Sequence, residues 1–205
     1  MEFRDLVKAR RSIKKYDPDH AISDAELEAI FEQVILSPSS FNLQHWRFVV
    51  VRDAEGKAAL RKAAFDQEQV ETASAAVVVV GKLNAHQDAP AIYAQAPEAV
   101  RAGMLPMIER FYREDAALRR DETIRSASLA AMTLMYAALD LGYATGPMIG
   151  FDPRAVSELI GLDEHHVAVM LVVIGRQAGE PRPRPDRHPV FSVVKLETMN
   201  GRGLR

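Results

Sequence analysis

Four cations stand close together early in the chain, Arg10, Arg11, Lys14 and Lys15, with Ser12 among them. Arg and Lys beside a hydroxyl can hold a phosphate, because a guanidinium gives paired, charge-assisted hydrogen bonds to phosphate oxygens. The same cations at a helix C-terminus would only oppose its partial negative charge, and taken alone that plainer use is favoured. A second basic run, Arg182-Pro-Arg184-Pro-Asp-Arg187-His188, can close over an anion or form a solvated end. The stretch Pro38-Ser39-Ser40-Phe41-Asn42-Leu43-Gln44 offers donors and acceptors without charge. Such groups suit the edge of a heteroaromatic ring, and they equally suit a turn that ends a helix.

Other chemistries lack their residues. Gly142, Gly146 and Gly150 stand four apart, which is neither a dinucleotide fingerprint nor a Walker loop, although Gly150 could let backbone approach a flat ligand. Glu164-His165-His166 lacks the spacing of a helical zinc motif, so no metal site is expected. There is no G-x-S-x-G motif and no cysteine, hence no thiolate nucleophile, disulfide or Cys-ligated metal. No carboxylate pair stands out as that of a glycosidase.

These residues must be positioned by a chain of 205 residues, enough for one domain with a real core. Its 48% hydrophobic and 26% charged content is that of a globular protein. A net charge of -2 gives no sign of a nucleic-acid partner. The N-terminus is charged from residue 2, and the apolar runs AAVVVVG and VAVMLVVIG are too short to span a bilayer. A soluble cytoplasmic protein with no membrane partner is the expectation.

Periodicity predicts a short helix over 2–11, an extended segment over 13–17 and a turn at Pro18. Ser23-Asp-Ala-Glu26 is a capping box, and Leu27, Ile30, Phe31, Val34 and Ile35 follow at helical spacing until Pro38 stops the helix. Strands are expected at 47–51, 75–81, 145–149 and 167–174, the second buried on both faces. Helices are expected around 56–64 and over 124–141, with Gly142 as C-cap, and after Asp152-Pro153. Residues 83–123 look irregular, with helical patches around 97–119. The sum is an α+β domain of two or three layers.

Taken in order, RRSIKK, the capping box, PSSFNLQHWRFVVV, ASLAAMTLMYAALDLGYATGPMIGFD and an IGR…RxxRHPV tail resemble the FMN-dependent nitroreductase family. The resemblance spans nearly the whole chain, is weakest over 83–123, and is closest to small bacterial NAD(P)H nitroreductases, including members linked to quinone and hydroquinone resistance. It implies the nitroreductase-like fold: one domain over 1–205 with a central mixed sheet surrounded by helices. It implies an intertwined homodimer with FMN at the interface. Residues 83–123 would form a variable helical excursion near the active site, and 176–205 would embrace the partner subunit. Arg10 and Ser12 would meet the FMN phosphate with Arg11 beside them, and Arg187 would return to it, with Arg184 a weaker candidate. Lys14 would lie at the flavin N1/C2 carbonyl edge. Pro38, Ser39, Ser40 and Asn42 would serve the partner's flavin, and Gln67 would contact the pyrimidine. Ile149 and Gly150 would face flavin N5 through backbone; some relatives carry Glu at position 149, so no side-chain role follows there. Lys14 and Gly150 are thus the candidate catalytic positions.

The implied activity is ping-pong reduction of nitroaromatics, quinones or similar acceptors with NAD(P)H. The alternatives are a non-catalytic flavin-binding module, or a related flavin enzyme that dehalogenates or fragments flavin. The choice between NADH and NADPH and the physiological acceptor are not legible.

Overall fold

Ala75–Lys82 carries four consecutive valines, and β-branched side chains on both faces of a strand need two cores. The computed structural model, which describes residues 1–204, supplies both. In chain order the helices are α1 (Phe3–Ala9), α2 (Asp24–Val34), α3 (Ala54–Ala63), α4 (Gln69–Thr72), α5 (Ala89–Ile92), α6 (Glu98–Tyr112), α7 (Ala116–Asp140), α8 (Pro153–Leu159) and α9 (Val190–Val193). The strands are β1 (Trp46–Val51), β2 (Ala75–Lys82), β3 (Ala144–Met148) and β4 (His166–Gly175), in the sheet order β1-β2-β4-β3.

Alternation along β2 divides it cleanly. Ala75, Val77 and Val79 face a core built with Ile30, Val34, Leu134 and Ala131 of α2 and α7. Ala76, Val78 and Val80 face the other core, with Leu60 of α3, Val70 of α4 and Val156 of α8. The result is three layers, helices on both sides of the sheet. On β4, a register shift opposite Val79/Val80 lets Val169 and Met170 pack on the first core while Ala168 packs on the second.

All three strand pairs are antiparallel, which corrects the expectation of a mixed sheet. Among the described residues the one parallel pairing is an isolated bridge, Ser12 to Thr145. Strand direction depends on how connections cross the layers, and residue patterns do not carry it.

Local signals end the elements where expected. Both capping-box bonds form at Ser23 and Glu26. Asp152 accepts from the N–H groups of Arg154 and Ala155, with Pro153 opening α8. Gly142, at φ 79°, closes α7: its N–H donates to Leu139 O and that of Tyr143 to Ala138 O. Helix α7 begins at Ala116, two turns before the expected start, because Asp115 caps it by accepting from Leu118 N at 2.8 Å. Among the described residues no helix is long and apolar enough to cross a membrane.

A third, smaller cluster lies apart from both sheet cores. Leu43, Ala85, Ala89, Ile108 and Tyr112 are buried together, with Phe41, Tyr93 and Leu118 against them. It joins the loop before β1 to the helical excursion between β2 and α7.

Candidate functional site

The extended segment after α1 lies along the β3 edge. Ile13 N–H donates to Thr145 O at 3.0 Å, and Tyr16 bridges Gln177 where the tail leaves β4. Gly146 permits this approach, since a Cβ there would stand 2.8 Å from Ile13 O and 3.0 Å from the Tyr16 hydroxyl.

This packing brings Lys14, Gln67 and Gly150 together. Lys14 Nζ reaches Gln67 Oε1 at 3.4 Å, and Gln67 Nε2 donates to Gly150 O at 2.8 Å. Gln69, buried below, donates to the same Gln67 Oε1 at 2.8 Å. With two donors facing Oε1 and a carbonyl facing Nε2, the amide has one consistent orientation. Among the described residues the Gly150 N–H makes no hydrogen bond. Ile149 beside it is 78% exposed, an apolar side chain held at the rim. Burial pulls the Lys14 pKa below its ordinary value, and the nearby Arg182 pulls it the same way.

The two basic runs meet at the end of α1. Arg184 donates to Lys8 O at 2.9 Å and to Arg10 O at 2.7 Å, so it caps the helix carbonyls. Arg11 donates to Arg182 O. Desolvation, then repulsion from Arg11, Arg10 and Arg187, lowers the Arg184 pKa. Arg187 turns toward Pro185 O and Asp186 O at 3.2 and 3.3 Å. Among the described residues none of the ion pairs uses Arg10, Arg11, Lys14, Arg182, Arg184 or Arg187. A cluster of cations that no ion pair neutralises is an electrostatic site for an anion.

The Pro38–Gln44 loop lies elsewhere. Phe41, Asn42 and Gln44 adopt left-handed φ values of 51°, 53° and 49°. For non-glycine residues this conformation costs about 1–2 kcal/mol each. Ser39 Oγ accepts from Gln44 N at 2.9 Å, Ser40 Oγ from Tyr112 Oη at 2.8 Å, and Phe41 O from Tyr93 Oη at 3.0 Å. Pro38 and Asn42 are exposed. Among the described residues no hydrogen bond joins this loop to Lys14, Gln67 or Gly150. It leads into β1, while Gly150 follows β3, and these are the two edges of the sheet. Three strand spacings of about 4.8 Å put roughly 14 Å between them. Because β1 and β3 run in opposite directions, the loop and Gly150 lie toward the same end of the sheet.

Residues 7–176 match the model of the Nitroreductase family. The chain belongs to that family. A nitroreductase-family relative, "Putative NAD(P)H nitroreductase MhqN" of Bacillus subtilis, is 39% identical over 206 residues, covering 95% of this chain and 98% of its own. A Thermus thermophilus protein named NADH dehydrogenase is 36% identical, over 90% of this chain and 91% of its own. Among solved structures, a "putative nitroreductase in complex with FMN" from Exiguobacterium sibiricum superposes with a TM-score of 0.90 at 35% identity, covering 96% of this chain and 98% of the other. The nitroreductase-like α+β fold expected from the motifs is therefore the fold of this chain.

Sequence patterns missed Gln69, which fixes the Gln67 amide, and Tyr112, which holds Ser40. Neither lies in a motif. Arg182 was visible only as part of a basic run, with nothing to place it near Lys14.

Proposed function

We propose that this protein is an NAD(P)H-dependent FMN oxidoreductase acting as a homodimer, each flavin held between the Lys14–Gln67–Gly150 edge of one chain and the Pro38–Gln44 loop of the other. The observation that carries this is one juxtaposition: a cation, an oriented amide and a backbone N–H with no hydrogen bond among the described residues stand at the β3 edge, beside an arginine cluster that no ion pair neutralises. A ligand with an anionic tail and a flat, hydrogen-bonding ring fits that donor set. FMN bound here would supply the redox chemistry for a ping-pong exchange of a hydride equivalent between NAD(P)H and a nitroaromatic, quinone or similar acceptor.

The chain's own residues bind and orient. Arg10, Arg11 and Ser12, with Arg187 and Arg184 from the tail, hold the phosphate. Lys14 places positive charge where reduction raises negative charge, at the N1/C2 carbonyl edge. Burial first, and then the nearby Arg182 cation, hold its pKa below the ordinary value. Gln67 orients the pyrimidine, and the Gly150 N–H is offered toward N5, with Ile149 contributing backbone. Pro38, Ser39, Ser40 and Asn42 form the rim supplied by the second chain, because within one chain they sit at the far edge of the sheet.

Dimerisation also gives a place for exposed apolar surface. A groove of about 620 Å³ between α1, α2 and α7 is lined by Phe3, Leu6, Tyr136 and Ala137 together with Glu32 and Asp140. Val190, Phe191 and Val193 of the tail are more than half exposed, as suits a segment that wraps a second chain.

The test is anaerobic spectroscopy on protein loaded with FMN, with molecular mass by light scattering. The visible flavin band should bleach with NADH or NADPH and return on adding p-benzoquinone, and double-reciprocal rate plots should be parallel. Failure to retain FMN, or a flavin that neither nucleotide bleaches, would overturn the assignment. A monomeric mass with full activity would overturn the shared site.

A further inference from the structure

We propose that Tyr112 is a positioning residue for the flavin site: with Tyr93, it holds the Ser39–Gln44 loop in the conformation in which the loop meets the cofactor. The inference rests on the assignment of that loop to the flavin rim, and it adds a role for the helical excursion.

The loop needs outside support. Three of its six residues, Phe41, Asn42 and Gln44, are in the left-handed region, and none is glycine. Such backbone persists only where its surroundings over-determine it. The internal ties are four: Asn42 N–H to Ser39 O and Leu43 N–H to Ser40 O at 3.0 Å each, Gln44 N–H to Ser39 Oγ at 2.9 Å and Gln44 Nε2 to Asn42 O at 3.2 Å. The others come from outside. Tyr93 gives its hydroxyl to Phe41 O, and Arg47 gives its guanidinium to Gln44 O at 3.0 Å. Tyr112 gives its hydroxyl to Ser40 Oγ.

Tyr112 is well placed to act as a fixed point. It is 1% exposed at the C-terminal end of α6. Its ring stacks on His86 and meets Phe41, Phe111 and His45 edge-on. Its hydroxyl bond ties Ser40 to that buried ring at 2.8 Å. The excursion that closes the satellite cluster thereby fixes the place of a rim residue.

The experiment compares Tyr112→Phe, Tyr93→Phe, Ser40→Ala and the double variant Tyr112→Phe/Ser40→Ala with the unaltered dimer. Amide exchange of residues 39–44 is followed in the apo-protein, and FMN dissociation constants and acceptor KM and kcat are measured in the loaded enzyme. Tyr112→Phe should speed exchange in 39–44 and raise the FMN dissociation constant roughly five-fold, the size of one lost hydrogen bond. It should raise acceptor KM more than it lowers kcat. The double variant should bind FMN no more weakly than Ser40→Ala alone. Should Tyr112→Phe fold poorly, Tyr93→Phe should move exchange and FMN binding in the same direction. Unchanged exchange in 39–44 would overturn the proposal. So would faster exchange or a lower thermal midpoint with FMN binding intact, since that is a packing role only. Neither result touches the flavin chemistry itself, which stands or falls on bleaching of the unaltered protein.

Discussion

Ser12–Lys14 is laid against β3 by backbone hydrogen bonds and rests on the large core under α3, α4 and α8, whereas Pro38–Gln44 enters β1 over a small aromatic cluster of its own. At the first edge the polar groups bond one another in series, Lys14 to Gln67 to Gly150, with Gln69 fixing the amide from beneath. At the second, three left-handed residues are held by phenols from the excursion. The first half inherits its rigidity from the sheet. The second borrows it from helices that the sheet cores do not include. Charge is therefore placed over the sheet core, and the uncharged polar loop over the satellite cluster.

The largest separation of the two halves should come from Lys14→Ala. Losing a fixed cation at the reacting ring should slow NADPH-dependent bleaching by roughly 10²-fold and make the flavin midpoint potential more negative. Stopped-flow and spectroelectrochemistry read these effects, and exchange in 39–44 should not change. A rise in that exchange would break the independence of the two edges.

Acid should strike the second half first. His45 is buried beneath the loop, and its Nδ1 has no partner among the described residues. Burial pushes its pKa down to about 4, with Glu122 opposing and His86 and Arg47 reinforcing. The unfolded chain takes up a proton near pH 6.5 that the folded chain refuses until about pH 4. Between those values the unfolded state binds more protons, so stability falls as pH falls. The loss by pH 5 should be of order 1–2 kcal/mol, measured by urea unfolding. His45→Gln should flatten that slope; an unchanged slope would place the acid-sensitive group elsewhere.

A smaller effect sharpens the contrast from the other side. Ser23→Ala removes the capping box of α2, which makes no hydrogen bond to either half among the described residues, and should cost about 1 kcal/mol of stability. Its FMN dissociation constant should equal that of the unaltered protein, and a shift would show that α2 transmits to the site.

Local chemistry was legible before any coordinates. The four valines of β2, Ser23 with Glu26, Pro38, Gly142 and Asp152-Pro153 each announce their structure through their nearest neighbours in sequence. Arg10, Arg11, Lys14 and the Ser-Ser-Phe-Asn loop declared polarity but not purpose, since helix-end cations and turn residues have the same composition. Their ordered resemblance to a family joined them. Three kinds of fact stayed hidden. The direction of strand pairing is set by how crossovers pack. The start of α7 was masked because its first two turns are polar. The satellite cluster collects Leu43, Ala85, Ile108 and Tyr112 from positions far apart in the chain, and no periodicity links them.

That cluster has a property of its own. The excursion leaves the sheet at Lys82 and rejoins it at Thr123, whose buried hydroxyl donates to Lys82 O at 3.1 Å. Departure and return are pinned at one point, so the intervening segment closes on itself. None of residues 83–122 is among those of the two sheet cores, so a change of length within the segment should leave the β2–β4 register undisturbed. What such a change does reach is Ser40, through the Tyr112 hydroxyl.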